Sequence, residues 1–124
     1  MPCSFAFDAA RGLMIVRASG TLTYDELLDA RTRGAADPSF NRLLPTLADF
    51  REVTGFEPRV AMLRKIAENP VISRNTKLAI LPPPGQPWGA ARLFAAYAKF
   101  VGRPVEVFTK LEDAERWLGV APSA

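Results

Sequence analysis

Apolar and polar residues alternate from Cys3 to Asp8, with Phe5 and Phe7 on one side, which predicts a half-buried strand over residues 3–8. Residues 9–12 make a short turn. Residues 13–18 begin Leu-Met-Ile-Val, apolar on both faces, and predict a strand inside a sheet. So short a connection makes the two strands an antiparallel hairpin. Gly20 then breaks the chain, and the period changes. Tyr24, Leu27, Leu28 and Arg31 share one helical face and leave Asp25, Asp29 and Thr32 to water. The helix so predicted opens at Thr23 and ends near Arg33, with Gly34 as its stop.

The same grammar continues. Residues 37–40 form a loop anchored by Phe40, and residues 43–50 predict a third strand ending in Asp49-Phe50-Arg51-Glu52. A second helix is expected from a Thr54 cap, with Pro58 in its first turn, Val60, Leu63, Ile66 and Ala67 as its buried stripe, and Asn69-Pro70 as its end. Residues 77–81 predict a fourth strand, followed by a proline-rich loop and a third helix over residues 87–101 that stops at Gly102. In that helix Trp88, Arg92 and Lys99 take one side; Leu93, Phe94, Tyr97, Phe100 and Val101 take the other. Residues 104–108 read as an edge strand, and a fourth helix runs from a Thr109 cap to Leu118, closed by Gly119. Thr23–Glu26, Thr54–Glu57 and Thr109–Glu112 all have the spacing of capping boxes.

The order is therefore β-β-α-β-α-β-α-β-α. It predicts a single α/β domain, 1–124, built on one five-stranded mixed sheet in which strand 1 is antiparallel and the others are parallel with right-handed crossovers. Composition agrees: 124 residues suffice to bury a core, and 48% hydrophobic with 23% charged residues is ordinary for a globular chain. No apolar run is long enough to span a bilayer, and Met1-Pro2-Cys3-Ser4 does not begin a signal peptide, so a cytoplasmic protein is expected.

Chemistry is mostly excluded rather than indicated. The chain has no histidine, which removes His-based triads and zinc sites, and a single cysteine, Cys3, which rules out an internal disulfide. Twelve arginines and four lysines give a formal charge of +3, but they are interleaved with acids and form no basic stripe, so no nucleic-acid partner is expected. Glycine-rich nucleotide loops and a nucleophile elbow are absent from the sequence, and no cofactor, metal or catalytic residue is expected.

Ligands of open α/β sheets collect at the carboxyl ends of the strands, which directs attention to two places. Asp49 and Arg51 lie two apart and point the same way, fit either to hold a polar ligand or partner, or to pair with each other and fix the adjoining turn. Trp88, Gly89 and Arg92 open the third helix, where an indole can stack on a guanidinium and helix N–H groups can hold an anion; a rigid proline loop explains the same residues without a ligand. The near absence of charges from this helix also suits packing against a second subunit.

Several segments taken together resemble the SpoIIAA-like group of the STAS superfamily, related in fold to CRAL-TRIO lipid-binding domains. They are Gly20-Thr21-Leu22-Thr23-Tyr24-Asp25-Glu26-Leu27, Asp37-Pro38-Ser39-Phe40, Leu47-Ala48-Asp49-Phe50-Arg51, Trp88-Gly89-Ala90-Ala91-Arg92, Val105-Glu106-Val107-Phe108 and Glu112-Asp113-Ala114-Glu115-Arg116-Trp117-Leu118. The resemblance implies a SpoIIAA-like β-α superhelix with sequential strands, and a regulatory or protein-interaction module rather than an enzyme. Anti-sigma-factor antagonists of this kind carry a phosphorylated serine after the Asp of an Asp-Ser-Ser/Thr-Gly segment. Residues 49–55 have no serine there, so that switch is not carried over. The expected partner is a protein or a second copy of the chain, the alternative a small anionic metabolite or lipid.

Overall fold

The computed structural model describes residues 3–38, 44–56, 76–83, 92, 95–96, 98–99, 102 and 104–122. Its elements are β1 (Cys3–Asp8), β2 (Leu13–Leu22), α1 (Tyr24–Ala36), β3 (Thr46–Phe56), β4 (Leu78–Leu81), β5 (Val105–Val107) and α2 (Leu111–Leu118). The strands lie in sequential order in one sheet, with β1 antiparallel to β2 and every later pair parallel. Arg92, Ala95, Ala96, Ala98 and Lys99 are helical, and Gly102 donates its N–H to the Lys99 carbonyl at 2.9 Å, where the third predicted helix was to stop. Phe40, the second predicted helix beyond Phe56, residues 84–91, and Leu93, Phe94, Tyr97, Phe100 and Val101 lie outside the described residues. No helix among the described residues is long and apolar enough to cross a membrane.

Strand alternation divides the core between two faces. On one, Leu13, Ile15, Leu47, Ala79 and Leu81 are buried beneath Ala114 and Leu118 of α2. On the other, Ala48, Ile80 and Val105 meet Ala95 and Ala98, while Cys3, Ala18, Leu22 and Val53 meet Ala30 of α1. Leu13, Leu22 and Leu81 are wholly enclosed, each worth about 1.5–3 kcal/mol relative to exposure. Helix α2 is short but firmly seated. Phe108 packs on Trp117 with ring centroids 5.6 Å apart, and Lys77 lies 5.2 Å from the Trp117 ring while donating to its carbonyl at 2.8 Å.

Of the three Thr-x-x-Glu spacings, one forms a cap. Thr23 Oγ1 accepts from the Glu26 N–H at 3.1 Å and opens α1 as expected. Thr54 is instead inside β3, which runs six residues past the predicted end at Phe50. Thr109 is an exposed residue before α2, whose N-cap is Lys110 with no side-chain hydrogen bond. The β2 strand likewise continues through Gly20 to Leu22, because Gly20 adopts φ 65°, a conformation open to glycine, without leaving the ladder. Gly34 is not the stop of α1 either. It lies within the helix, which runs to Ala36 and is capped by Asp37, and a Cβ there would stand 2.9 Å from Cδ2 of Phe5. Glycine at this position lets α1 settle onto β1.

A further buried contact ties the hairpin turn to α2. Arg11 donates through Nη1 to Glu115 at 2.5 Å and through Nε to Asp8 at 2.8 Å, and it also reaches the Ala121 carbonyl at 3.1 Å. The Glu115 side chain is only 3% exposed.

Candidate functional site

The β2–β3 pair outruns the rest of the sheet. Strand β4 pairs with β3 only from Thr46 to Asp49, whereas β2 accompanies β3 as far as Phe56. Asp49 is thus the last β3 residue with a strand on both sides. Beyond it lies a two-stranded extension at the carboxyl end of the parallel strands, the side on which α/β sheets form ligand crevices.

Within this extension β3 carries more residues than β2. Arg17 faces Asp49, but Ser19 faces Glu52; Gly20 faces Val53, but Thr21 faces Gly55. Each shift is a bulge that inserts one residue and breaks strict alternation. The reason lies in the apolar residues. Phe50 and Val53 are three apart, an odd spacing that an undistorted strand would send to opposite faces. Both pack in the cluster around Leu22 and Ala30, with Val53 only 4% exposed. Burying both forces the inserted residue between them, and Arg51 and Glu52 emerge together, both exposed. Thr54, exposed in turn, falls at the second shift, which explains why it caps nothing.

The result is a cleft of about 510 Å³ lined by Arg17, Ala18, Asp49, Arg51 and Glu52. On this side of the sheet the β2 and β3 positions change from Leu13, Ile15 and Leu47, covered by α2, to Arg17 and Asp49. Arg51 grips Asp49 through both carboxylate oxygens, Nε to Oδ1 at 2.9 Å and Nη2 to Oδ2 at 2.8 Å, and its own N–H adds a contact at 3.3 Å. Hydrogen bonding from Arg51 holds the Asp49 carboxyl below its ordinary pKa against the opposing effect of burial, with the charges of Arg51 and Arg17 adding to the shift. Arg51 is shifted up, chiefly by its hydrogen bonds to Asp49, with Glu52 and Glu112 of α2 contributing charge.

Asp49 is therefore ionised at neutral pH with both oxygens engaged, a poor general acid and an occupied base. Such an arrangement suits recognition better than proton transfer. Among the described residues no group of three or more metal-ligating side chains converges.

Asp49 and Arg51 are brought together as expected, though in mid-strand rather than at a turn into a helix. Arg92 is exposed on a helical segment whose Ala95 and Ala98 pack on Ala48, Ile80 and Val105, the face opposite Asp49, so Arg92 itself is not brought together with Asp49 and Arg51. Trp88 and Gly89 lie outside the described residues. Arg17 and Glu52 were not anticipated; the three-residue spacing of Phe50 and Val53 was the available signal.

No protein-family model matches the chain, and no curated protein does. Among solved structures, the chain is similar to an uncharacterized protein of the DUF3478 family with a SpoIIAA-like fold from Shewanella loihica PV-4. The TM-score is 0.58 at 18% sequence identity, over 94% of this chain and 91% of that one. The fold is SpoIIAA-like, as the sequence resemblance implied.

Proposed function

We propose that the protein is a non-catalytic interaction module of the STAS type that receives a protein partner at the cleft on the β2–β3 extension. The observation that carries this reading is the state of its charges. Asp49 and Arg51 satisfy each other, while the side chains of Arg17 and Glu52 beside them form no hydrogen bond or ion pair with the described residues. A neutral pair flanked by two charges that have no bonded partner among the described residues fixes orientation and register of a partner, which is how charged rims confer specificity.

Affinity capture with wild type, Arg17→Glu and Arg116→Glu tests it. Arg116 is a fit control because its side chain is 79% exposed on α2. The expected result is a protein retained by wild type and Arg116→Glu and lost with Arg17→Glu. Identical capture by all three, or none by any, overturns the assignment, and light scattering on the pure protein tells a second copy from a different partner.

The concavity of the site supports a second reading, a small polar ligand, since about 510 Å³ falls within the roughly 300–1,000 Å³ typical of ligand pockets. Native mass spectrometry of the freshly purified protein addresses it: a bound mass lost in Arg51→Glu supports this reading, and an unliganded spectrum counts against it.

A further inference from the structure

The charges that line the cleft restrict what a small ligand must carry. Arg17 and Arg51 are balanced by Asp49 and Glu52, and the charge of Glu112 on α2 also acts on Arg51. A simple anion placed against Arg17 meets Asp49 and Glu52, and the Arg51 guanidinium that would attract it is already committed at 2.8–2.9 Å to Asp49. A simple cation placed against Glu52 meets both guanidinium groups. Neither sign is favoured alone.

A group bearing both signs meets no such conflict. Arg17 sits opposite Asp49 on the neighbouring strand, and Glu52 sits opposite Ser19, two β2 positions further on. With strands about 4.8 Å apart and about 3.3 Å per residue along them, the two backbone positions lie roughly 8 Å apart, and both residues line the same cleft, a span that one small molecule can bridge. The floor between them is Ala18, whose methyl is turned into the core with Leu22 and Val53, so the wall there is backbone at a break in the ladder. This leaves room above it and ladder groups within reach of a ligand.

We infer that the cleft binds a zwitterionic small molecule of the α-amino-acid class, its carboxylate on Arg17 and its ammonium on Glu52. The inference rests on the small-ligand reading of this cleft and adds the ligand's chemistry to it. The Asp49–Arg51 pair acts as a neutral, rigid partition that keeps either end of the ligand from collapsing onto the wrong partner.

Amide NMR titration of the full chain tests this, with the standard amino acids as probes and acetate, inorganic phosphate and ethylammonium as single-sign controls. At least one amino acid is expected to shift the amides of Arg17–Ser19 and Asp49–Glu52 saturably, with every control weaker by about tenfold or more, the loss expected when one charge-assisted contact is missing. Arg17→Gln and Glu52→Gln alter exposed side chains, keep their spectra dispersed, and each lose about tenfold in affinity for the same reason. A control that binds as tightly as the best amino acid, the absence of any shift at these amides, or unchanged binding by both variants overturns the inference. If it fails while Arg17→Glu still abolishes capture of a protein partner, the cleft remains the recognition site and only the ligand class is wrong. If both fail, the cleft itself is wrongly assigned.

Discussion

Replacing Arg11 with Ala removes one guanidinium from three acceptors at once: Asp8, the buried carboxylate of Glu115 and the Ala121 carbonyl. The side chains of Arg11 and Glu115 are 14% and 3% exposed, so water does not replace what the carboxylate loses. Breaking one side of such a buried pair costs up to about 3–5 kcal/mol, because the carboxylate keeps its desolvation penalty while losing the Arg11 guanidinium. Against a domain stability of roughly 5–15 kcal/mol, that is a large fraction of the total. The midpoint of thermal unfolding should fall by about 10 °C or more. Urea unfolding monitored by circular dichroism and tryptophan fluorescence measures the free energy directly, and an unchanged denaturant slope shows that the unfolded state is not what moved. Glu115→Gln and the double variant complete a cycle in which the two changes should be strongly non-additive. The comparison is Arg116→Ala, whose partner Asp113 is 3.4 Å away and whose side chain is 79% exposed; it should stay within about 0.5 kcal/mol of wild type. If Arg11→Ala is no worse than Arg116→Ala, or if the cycle is additive, the reasoning about burial is refuted.

Three further outcomes are expected. Alanine in place of a helix-interior glycine normally stabilises by up to about 1 kcal/mol, but Gly34→Ala should destabilise by about 1–3 kcal/mol, because its Cβ would stand 2.9 Å from the Phe5 ring; recovery on adding Phe5→Leu in chemical denaturation checks the cause. Thr23→Ala should cost about 1 kcal/mol as the loss of a true N-cap, whereas Thr109→Ala should lie within about 0.5 kcal/mol of wild type, and equal effects in the same assay would contradict the cap assignment. Asp49 has a folded pKa lowered by Arg51, so its contribution is present above the unfolded value of about 3.9 and is lost as pH falls through the folded value. The stability difference between wild type and Asp49→Asn should therefore be constant near neutrality and shrink at acid pH; a difference that grows on acidification has the wrong sign for this pair.

How much of this molecule can be read from its residues depends on whether a local rule or a tertiary one decides each position. The strand directions come from alternating periods and connection lengths, with the sequential order implied by the resemblance, and Phe5/Phe7, Leu13–Val16 and Leu78–Leu81 obey those periods without conflict. The errors occur where a local signal was overruled by packing. Thr54 has the spacing of a cap, and Gly34 that of a stop, yet Val53 is drawn into the core beside Phe50 and extends the strand, while Phe5 requires a residue without a side chain inside α1. The site shows the same logic. Asp49 and Arg51 were legible because two residues apart means one face, but Glu52 belongs on the opposite face until the bulge is known. The bulge in turn is needed only because Phe50 and Val53 both seek the core. An apolar pair at an odd spacing inside a strand with charges between its members is thus more than noise. In this chain it is the mark of the place where the sheet gives up regularity and gathers Arg17, Asp49, Arg51 and Glu52 around one cleft.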